Sequence, residues 1–346
     1  MPKAFRFFIK FICGIVSFCI IVAATAVGFT MYFNSPPPDL KDESIILEVR
    51  NGESAKATGI RLESLGLIRN RYFWNLLFRL DNEHIKIGTY EIQLPLTQME
   101  IRSILIKGEQ MLIRVTIPEG VTLRKAARIL EETGICSFEG FMDAANSRDM
   151  LELYNIPGTS MEGYLYPDTY LFPLNYPASR VVSTMADTFF KRLEGLLPSA
   201  SVLESISPSE LNDRVIMASI IEREYRISEE APLIAGVFYN RLRIGMALQS
   251  CATVEYVITE IQGLPHPNVL FNRDLEIRNP YNTYLRPGLP PGPISAPGEI
   301  ALRAAFNPIA SDYLYFRLID AGSGKHYFSR TLDDHIRAGS LQLKGR

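Results

Sequence analysis

The chain has 346 residues, of which 47% are hydrophobic, so it can bury a large core and hold two or three folded units. Its formal net charge of -2 at pH 7 forces no face to be strongly basic, which argues against a nucleic-acid-binding protein. Composition thus excludes one class of partner, and the motifs must indicate the activity.

The N-terminal segment has the pattern of a membrane anchor. Residues 1–10 carry basic side chains, and no charged residue occurs from Phe11 to Pro38. Positions 11–33 are long enough to span a bilayer, and the basic flank predicts a cytoplasmic tail at 1–10. A cleaved signal peptide is the alternative, because Ala24-Thr25-Ala26 resembles a cleavage site of small residues. The apolar run extends well beyond that site, which favours an uncleaved transmembrane helix.

A proline-rich segment at residues 34–43 predicts a stiff spacer that holds the first folded unit off the membrane. Beyond it the chain contains an internal repeat, with one copy at residues 46–68 and a second at residues 114–135. Each copy reads as a short strand, a glycine turn, a Ser or Thr helix cap, an amphipathic helix and a closing glycine. Paired glycines mark the two copies, Gly52 with Gly66 and Gly120 with Gly134.

The repeat is similar to LysM-type modules, which bind polymers that contain N-acetylglucosamine, such as peptidoglycan. A strand–helix unit without a ligand fits the same pattern, because the repeat consists of turn chemistry and core periodicity. Between the copies, residues 72–78 predict an aromatic helix face, which is more typical of a core than of a sugar platform. We expect residues 44–110 to be a LysM-like domain and residues 111–150 a second module that leads to a catalytic domain at 151–346.

The predicted catalytic domain opens with a segment in which polar and aromatic residues surround a glycine and a proline. Sugar rings stack on tyrosine while carboxylates bond to sugar hydroxyls, so this composition suits a carbohydrate-binding loop. A tyrosine-rich turn inside the core is the alternative. The candidate substrate-binding residues of this segment are Glu162, Tyr164, Tyr166, Asp168 and Tyr170.

The helix predicted to begin at Pro208 contains the leading catalytic candidate, Glu222. Ser207 and Glu210 predict a capping box at the helix start, with proline at the first helical position. At about 100° per residue, Glu222 shares a stripe with apolar residues that favour burial. Burial of a carboxyl group raises its pKa toward the range useful to a general acid. The alternative is a glutamate that reaches solvent at the helix end or pairs with Arg226.

Later polar residues occur near short helices and in a long segment rich in proline and glycine at 279–298. Long irregular segments inside compact domains are usually functional. We expect a cleft between the Glu222 helix and the loops at 160–170, 245–256 and 279–298, with Glu224 on nearly the opposite side of the helix. The candidate substrate-binding residues of the later segments are Asn240, Arg241, Gln249, Ser250, Tyr281, Asn282 and Tyr284.

The cysteines form no metal-binding or redox motif. Cys13 and Cys19 lie in the predicted membrane helix, and the other two are far apart in the sequence. A disulfide between Cys136 and Cys251 is possible in an oxidising compartment, but the spacing predicts no disulfide framework. We expect no structural metal.

Several sequence motifs occur together: E-G-Y-L-Y-P-D-T-Y at 162–170, A-S-I-I-E-R-E at 218–224, F-Y-N-R-L-R-I-G-M at 238–246, P-Y-N-T-Y at 280–284 and G-L-P-P-G-P-I-S at 288–295. Over essentially the whole chain, they resemble the YceG-like family of membrane-anchored endolytic murein transglycosylases. The resemblance implies a bacterial enzyme that cleaves nascent peptidoglycan glycan strands between MurNAc and GlcNAc, near the peptidoglycan synthases. It implies a single-pass protein of the inner membrane with its N-terminus in the cytoplasm and its catalytic domain outside. It also implies Glu222 as the catalytic acid and base.

The chain departs from the family pattern at one point. Where the family usually reads L-Q-[ST]-D-P-T-V, this chain has Cys251-Ala252 in place of Asp-Pro. Asp-Pro there resembles a helix cap followed by a proline, a role that Ser250 could partly assume. If the family aspartate instead contacts substrate, we expect weaker or altered binding.

The chemistry leaves two further classes of function open. A hydrolytic muramidase generally needs two carboxylates, whereas a lytic transglycosylase can act with one, because the MurNAc C6 hydroxyl attacks the sugar itself and no metal or organic cofactor takes part. A noncatalytic peptidoglycan-binding scaffold for cell-wall synthases would need only the LysM-like unit. We therefore expect an α+β lyase with one transmembrane helix, small LysM-like strand–helix modules and a mixed α+β catalytic domain, acting to terminate or trim glycan elongation.

Overall fold

The computed structural model describes residues 3–50, 52–81, 83–199, 203, 205–320 and 322–342. Over these residues the chain combines helices with small two-stranded sheets, which confirms the predicted α+β class. The chain divides into two compact units, residues 1–112 and residues 113–346. We call residues 35–112, which follow the N-terminal helix within the first of them, the first unit, and residues 113–346 the second unit.

Strands and helices are numbered in chain order over the described residues. The strands are β1 (Ser44–Val49), β2 (Gly88–Gln93), β3 (Leu112–Thr116), β4 (Thr169–Pro173), β5 (Tyr315–Asp320) and β6 (Lys325–Ser329), paired β1 with β2, β3 with β4 and β5 with β6. The helices are α1 (Lys3–Asn34), α2 (Ala55–Ser64), α3 (Arg71–Asp81), α4 (Gln98–Lys107), α5 (Leu123–Glu132), α6 (Phe138–Ala145), α7 (Arg148–Leu153), α8 (Ala178–Leu196), α9 (Pro208–Glu224), α10 (Ala231–Arg243), α11 (Cys251–Tyr256), α12 (Asn272–Leu275), α13 (Glu299–Phe306) and α14 (Leu332–Gln342).

Helix α1 contains a 25-residue span, Lys10–Asn34, that is long and apolar enough to cross a membrane. Its side chains are exposed from Lys10 to Tyr32, as expected of a helix that contacts lipid rather than protein. The hydroxyls of Thr25 and Thr30 donate to carbonyls one turn earlier, so these polar groups are satisfied inside the helix. The structure confirms the predicted apolar helix.

The first unit is a small sheet covered by helices. Strands β1 and β2 are antiparallel, with Ser44 opposite Gln93 and Val49 opposite Gly88. Side chains from the sheet and from helices α2, α3 and α4 meet in one core. Its fully buried members include Leu62, Trp74, Tyr90, Ile92, Ile101 and Leu105.

The end of α1 contacts the first unit directly. The Asn34 side chain accepts a hydrogen bond from the Met99 amide at 3.0 Å, and the Gln98 side chain donates to the Phe33 carbonyl at 2.8 Å. Arg69 donates to the carbonyls of Ser35 and Pro36 at 3.1 and 3.0 Å. The Arg69 side chain of this unit therefore binds the proline-rich segment through the carbonyl groups of the segment.

The internal repeat appears in the structure as the same turn chemistry used twice. Ser54 caps α2 by accepting from the Ala57 amide at 3.2 Å, and Thr122 caps α5 by accepting from the Lys125 amide at 3.3 Å. The paired glycines need the left-handed region, which favours a residue without a Cβ atom. They have similar φ angles of 76° and 70° in the first copy and 72° and 73° in the second, at Gly52, Gly66, Gly120 and Gly134.

Helix α9 runs through the core of the second unit. Its residues from Val215 to Ile221 are all buried, and α10 and α13 pack against it. Ser207 caps the helix as predicted, but Glu210 does not complete a capping box. Its carboxylate pairs with Arg214, one turn later, at 3.0 Å.

The proline- and glycine-rich segment is bound to α9 through one buried residue, Ser219. Ser219 accepts a hydrogen bond from the Ile294 amide at 3.0 Å, and its carbonyl accepts from the Ser295 hydroxyl at 3.0 Å. The segment then continues into α13, whose cap residue is Gly298. Burial of Ser219 therefore positions Gly298 close to the end of α9.

Candidate active site

Glu222 lies in the last turn of α9, where the helix leaves the core. One carboxylate oxygen accepts a hydrogen bond from the Gly298 amide at 2.9 Å, and the other accepts from the Tyr225 hydroxyl at 3.4 Å. Burial raises the pKa of Glu222 to about 7, against the opposing effect of the Gly298 amide, and the nearby charge of Glu119 raises it further. Near neutral pH this group can therefore hold or release a proton.

Glu119 reaches Glu222 because two distant segments are bonded together. The Gly120 amide donates to the Ala296 carbonyl at 2.8 Å, and the Ala296 amide donates to the Val121 carbonyl at 2.7 Å. A Cβ atom on Gly298 would collide with the Glu119 carboxylate. The glycine thus permits the close approach of Glu119 to the amide that binds Glu222.

These residues line a cleft with a volume of about 650 Å³. Its walls are the end of α9, the turn at Glu119, the start of α11 and the β5–β6 hairpin. The lining is polar and carries charges of both signs, which suits a hydrated, hydrogen-bonding ligand such as a sugar chain. Its ionisable residues are Glu119, Glu222, Arg223, Glu224, Arg226, Glu255, His266, Arg317 and His326.

Glu224 lines the same cleft, although an ideal helix would place it on nearly the opposite side from Glu222. Helix α9 ends at Glu224, and the cleft surrounds that end. The Ser250 hydroxyl donates to the Glu224 carboxylate, and burial raises the pKa of Glu224. Glu224 therefore has a side-chain donor from a neighbouring loop. Glu222 has a backbone donor and a longer contact with a phenol hydroxyl.

A third acid in the cleft is held by two bases. The Glu255 carboxylate lies 2.9 Å from the Arg223 guanidinium and 3.4 Å from the His266 imidazole. Arg223 also approaches the Gly120 carbonyl at 3.5 Å. The arrangement holds a cation beside Glu222 and leaves Glu255 already paired.

Three of the predicted substrate-binding residues line a smaller cavity of about 390 Å³, namely Arg241, Gln249 and Tyr284. Glu224 and Cys251 belong to the lining of both this cavity and the main cleft. Arg241 is buried and donates to the carbonyls of Leu314 and Leu248, each at 2.6 Å, so its guanidinium also holds two chain segments together.

Other predicted residues of this region hold loops in place. The Asn240 side chain donates to two carbonyls at residues 311 and 313, and the Asn282 side chain donates to two at residues 275 and 277. The Tyr281 ring packs on the Tyr256 ring with centroids 5.0 Å apart. Among the described residues that line the cleft, none of these predicted residues is present.

The structure places the tyrosines of residues 160–170 in the core rather than on the cleft. Tyr164, Tyr166 and Tyr170 are 1%, 6% and 7% exposed, and the Tyr170 hydroxyl donates to the Tyr166 carbonyl at 2.6 Å. Asp168 pairs with Arg192 at 3.0 Å. The tyrosine-rich core turn, which the sequence left as the alternative, describes this segment, because its tyrosine rings are buried and the Tyr164 hydroxyl donates to Asn212 on α9 at 3.0 Å.

Glu162 is buried at the start of α5. Both of its carboxylate oxygens lie within hydrogen-bond distance of the Leu123 amide, at 3.1 and 3.2 Å, and the Tyr256 hydroxyl lies at 3.4 Å. Burial raises its pKa to about 8, partly opposed by the Leu123 amide. Glu162 therefore binds a helix N-terminus inside the protein, away from the cleft lining that the structure describes.

We predict that Glu162→Gln makes the stability of the folded chain less dependent on pH. The pKa of Glu162 is raised from 4.5 to about 8 on folding, so stability is greatest below pH 4.5 and falls as pH rises toward 8. Between these two pKa values, Glu162 lowers the free energy of unfolding by roughly 1.4 kcal/mol per pH unit. Thermal melts of both proteins from pH 5 to 8 measure it. If the melting temperatures of the two proteins vary with pH in the same way, Glu162 is ionised in the folded protein.

Sequence reasoning missed Glu119, Arg223, Tyr225 and His266. Glu119 precedes the turn glycine of the repeat, Gly120, and the sequence pattern of that turn predicts only a structural element. Its part in the cleft depends on the pairing of Gly120 with Ala296, which lies 176 positions later. A contact of that sequence separation leaves no local signal.

Two expectations about residues near 251 also change. Cys136 and Cys251 form no disulfide, and each has a free thiol. The Cys251 thiol lies 3.1 Å from the Tyr284 hydroxyl. Burial raises the pKa of Cys136 to about 11. Ser250 precedes α11 but its side chain caps no amide of that helix. It binds Glu224 instead, so it does not replace the missing aspartate as a cap.

Comparisons with known proteins give a consistent match. The model of the YceG-like family matches residues 47–340. An endolytic murein transglycosylase of Streptococcus pneumoniae serotype 2 is 29% identical over 325 residues, which is 85% of this chain and 57% of that protein. One from Bacillus subtilis is 35% identical over 186 residues, which is 54% of this chain and 49% of that protein. This chain thus spans about half the length of these relatives.

A solved structure extends the match to three dimensions. The crystal structure of a YceG-like protein from Listeria monocytogenes superimposes with a TM-score of 0.57 at 30% identity, covering 86% of this chain and 99% of that one. The similarity therefore includes nearly all of the compared protein.

Proposed function

This chain belongs to the YceG-like family, and on that premise we propose that it is an endolytic lytic transglycosylase of peptidoglycan. Its substrate is the glycan strand of nascent peptidoglycan, cut at the bond between MurNAc and GlcNAc. Cleavage inside a growing strand terminates or trims its elongation. Relatives that carry this name and the similarity over 85% of the chain support the proposal.

Glu222 first acts as the general acid. It protonates the oxygen that links MurNAc C1 to GlcNAc, and the C1–O bond breaks as positive charge develops on the MurNAc ring. A carboxyl group with a pKa of about 7 holds this proton near neutral pH, unlike an exposed glutamate. We assign the stabilisation of this positive charge to the neighbouring carboxylate Glu119 and to the substrate's own acetamido group.

Glu222, now ionised, then acts as the base. It takes the proton from the MurNAc C6 hydroxyl while that oxygen bonds to C1, which leaves a 1,6-anhydroMurNAc end and restores the protonated acid. The attacking hydroxyl belongs to the substrate, so no water has to be recruited and positioned. The proton given in the first step is recovered in the second.

The observation that carries the proposal is the environment of Glu222. It is a desolvated acid at the end of a buried helix, open to a polar cleft of about 650 Å³ and held by a backbone amide. A scaffold protein that only binds peptidoglycan has no need of such an acid. Of the other cleft acids, Glu224 accepts from the Ser250 hydroxyl and Glu255 forms an ion pair with Arg223.

We predict that digestion of uncrosslinked glycan strands by the purified chain yields products that end in 1,6-anhydroMurNAc. Each product is lighter by one water than the corresponding product of a muramidase, so mass spectrometry separates the two reactions. Reducing MurNAc ends as the main product would replace this proposal with a two-carboxylate hydrolase. Glu119 would then be the first residue to test as the second carboxylate.

Substrate contacts are part of the proposal. Arg241, Gln249 and Tyr284 line a cavity that shares Glu224 with the main cleft, so they are the predicted residues best placed to bind sugar units beyond the cleavage site. The first unit, with its LysM-like repeat, would hold the same strand at another point, and peptidoglycan synthases would supply that strand.

We also propose that α1 anchors the chain in the bacterial inner membrane, with residues 1–10 in the cytoplasm and both folded units outside. The basic flank of the apolar span supports this orientation. Protease added to spheroplasts should digest the folded units and spare α1. A mature N-terminus at Val27, determined by Edman sequencing, would instead indicate a cleaved signal peptide.

A further inference from the structure

Helix α3 carries apolar side chains on both of its faces. Phe73, Trp74 and Phe78 are buried in the core of the first unit, at 4%, 0% and 8% exposure. Tyr72 and Leu76 point the other way and are 70% and 45% exposed. The aromatic stretch of α3 is therefore a core face, as the sequence predicts, with a second apolar face that lies at the surface.

The outward face of α3 forms one wall of a groove of about 440 Å³. Its exposed residues recur at the helical spacing i, i+4 and i+7, at Tyr72, Leu76 and Arg79. The other wall is the last turns of α1, through Phe29 and Phe33. The groove is thus lined by apolar rings along its length, with a guanidinium group included in the lining.

The position of the groove along α1 is fixed by contacts. The Phe73 ring lies 6.3 Å from the Phe29 ring and 6.4 Å from the Phe33 ring. Phe33 belongs to the last turn of the 25-residue apolar span. The groove therefore lies at the depth where such a span reaches the boundary between acyl chains and headgroups.

The charge of this region suits a phosphate group. Arg69 precedes α3 and Arg71 is its first residue, and their guanidinium groups lie over the rings of Tyr32 and Tyr72 at 5.0 and 5.3 Å. Arg71 also pairs with Glu63 at 3.4 Å. Arg79 forms no ion pair with any residue that the structure describes. Arginine binds phosphate strongly, and amphipathic helices with this mixture of rings and cations lie in membrane interfaces.

We propose that this groove binds one phospholipid from the leaflet that borders the first unit, with its phosphate at Arg79 and an acyl chain against Phe29 and Phe33. The inference rests on the membrane anchor of the proposed function and is independent of glycan cleavage. The lipid covers the exposed apolar face of α3, which otherwise contacts water beside a membrane-spanning helix.

The test uses the full chain in detergent, titrated with dioleoylphosphatidylglycerol, with bound lipid counted by native mass spectrometry. Arg79→Gln should weaken binding of the first lipid about fivefold, since one interfacial cation is worth about 1 kcal/mol. Leu76→Gln should weaken it as well. Arg50→Gln removes an equally positive, exposed residue of the same unit and is the matched control. All three sites are at the surface, so thermal melts should be unchanged.

Equal lipid binding by the wild type and Arg79→Gln would overturn the proposal, and so would an equal loss in Arg50→Gln. Full competition by glycerol 1-phosphate at the lipid concentration would show a site for free phosphate instead of a lipid. A wild-type chain that remains in solution without detergent would overturn the anchor together with the lipid site. Glycan cleavage by each variant is measured separately, so failure of the catalytic proposal is recognised independently.

Discussion

Glu222→Gln is expected to reduce glycan cleavage by about 10²–10⁴-fold, the range that general acid–base catalysis contributes, while the fold is retained. The amide is nearly the same size and its oxygen can still accept the hydrogen bond that the Gly298 amide donates at 2.9 Å. It can neither protonate the leaving oxygen nor take the proton of the C6 hydroxyl. Release of anhydro products from purified glycan strands measures the effect, and a thermal melt checks the fold.

The matched control is Glu224→Gln, two residues away on the same helix and in the same cleft. Its amide oxygen can still accept from the Ser250 hydroxyl, so the loop contact is kept while the charge is removed. We expect most of the activity to remain. An equal loss in both variants would mean that the two acids act together, and retention of activity by Glu222→Gln would transfer the catalytic role to another residue of the cleft.

The second large effect expected is a fall in activity as pH rises above about 7. The acid step needs the protonated form of Glu222, whose pKa is raised to about 7 by burial and by the charge of Glu119. Above that pH the protonated fraction falls, and the rate should fall about tenfold per pH unit. Initial rates measured from pH 5 to 9 give the position of this descending limb of the pH–rate profile.

Glu119→Gln supplies the control for this pH dependence. It removes a negative charge that raises the pKa of Glu222, so the descending limb should move to lower pH. A limb that stays in place in this variant would show that another group titrates there. An activity that does not vary between pH 6 and 9 in the wild type would contradict the assignment of Glu222 as the acid.

Local rules of sequence predicted the framework of the fold well. The cap at Ser207, the proline at the start of α9 and the turns of the repeat all depend on residues within one helical turn of each other. The predicted capping box at Glu210 is wrong for an equally local reason. Arg214 lies one helical turn away and competes for the Glu210 carboxylate. Periodicity predicted burial for the stripe of α9 that contains Val215, whereas the structure buries every residue from Val215 to Ile221.

The rest of the candidate site could not be predicted from the sequence, because it depends on long-range contacts. Tyrosine serves both in sugar binding and in cores, so composition could not show that Tyr164 and Tyr170 are buried. Glu119 enters the cleft only when Gly120 pairs with Ala296. Helical phase separates Glu222 from Glu224, yet both line the cleft because the helix ends there.

The contact between α1 and the first unit has a mechanical consequence. In the anchored chain that we propose, a span of 25 residues is about 37 Å long, more than the roughly 30 Å of a hydrocarbon core, and tilting of the helix accommodates such a mismatch. A flexible tether would absorb that tilt, but Asn34 and Gln98 join the helix end to the unit by hydrogen bonds. With the helix end held in this way, we expect the first unit of the anchored chain to change its inclination together with α1 when the thickness of the bilayer changes.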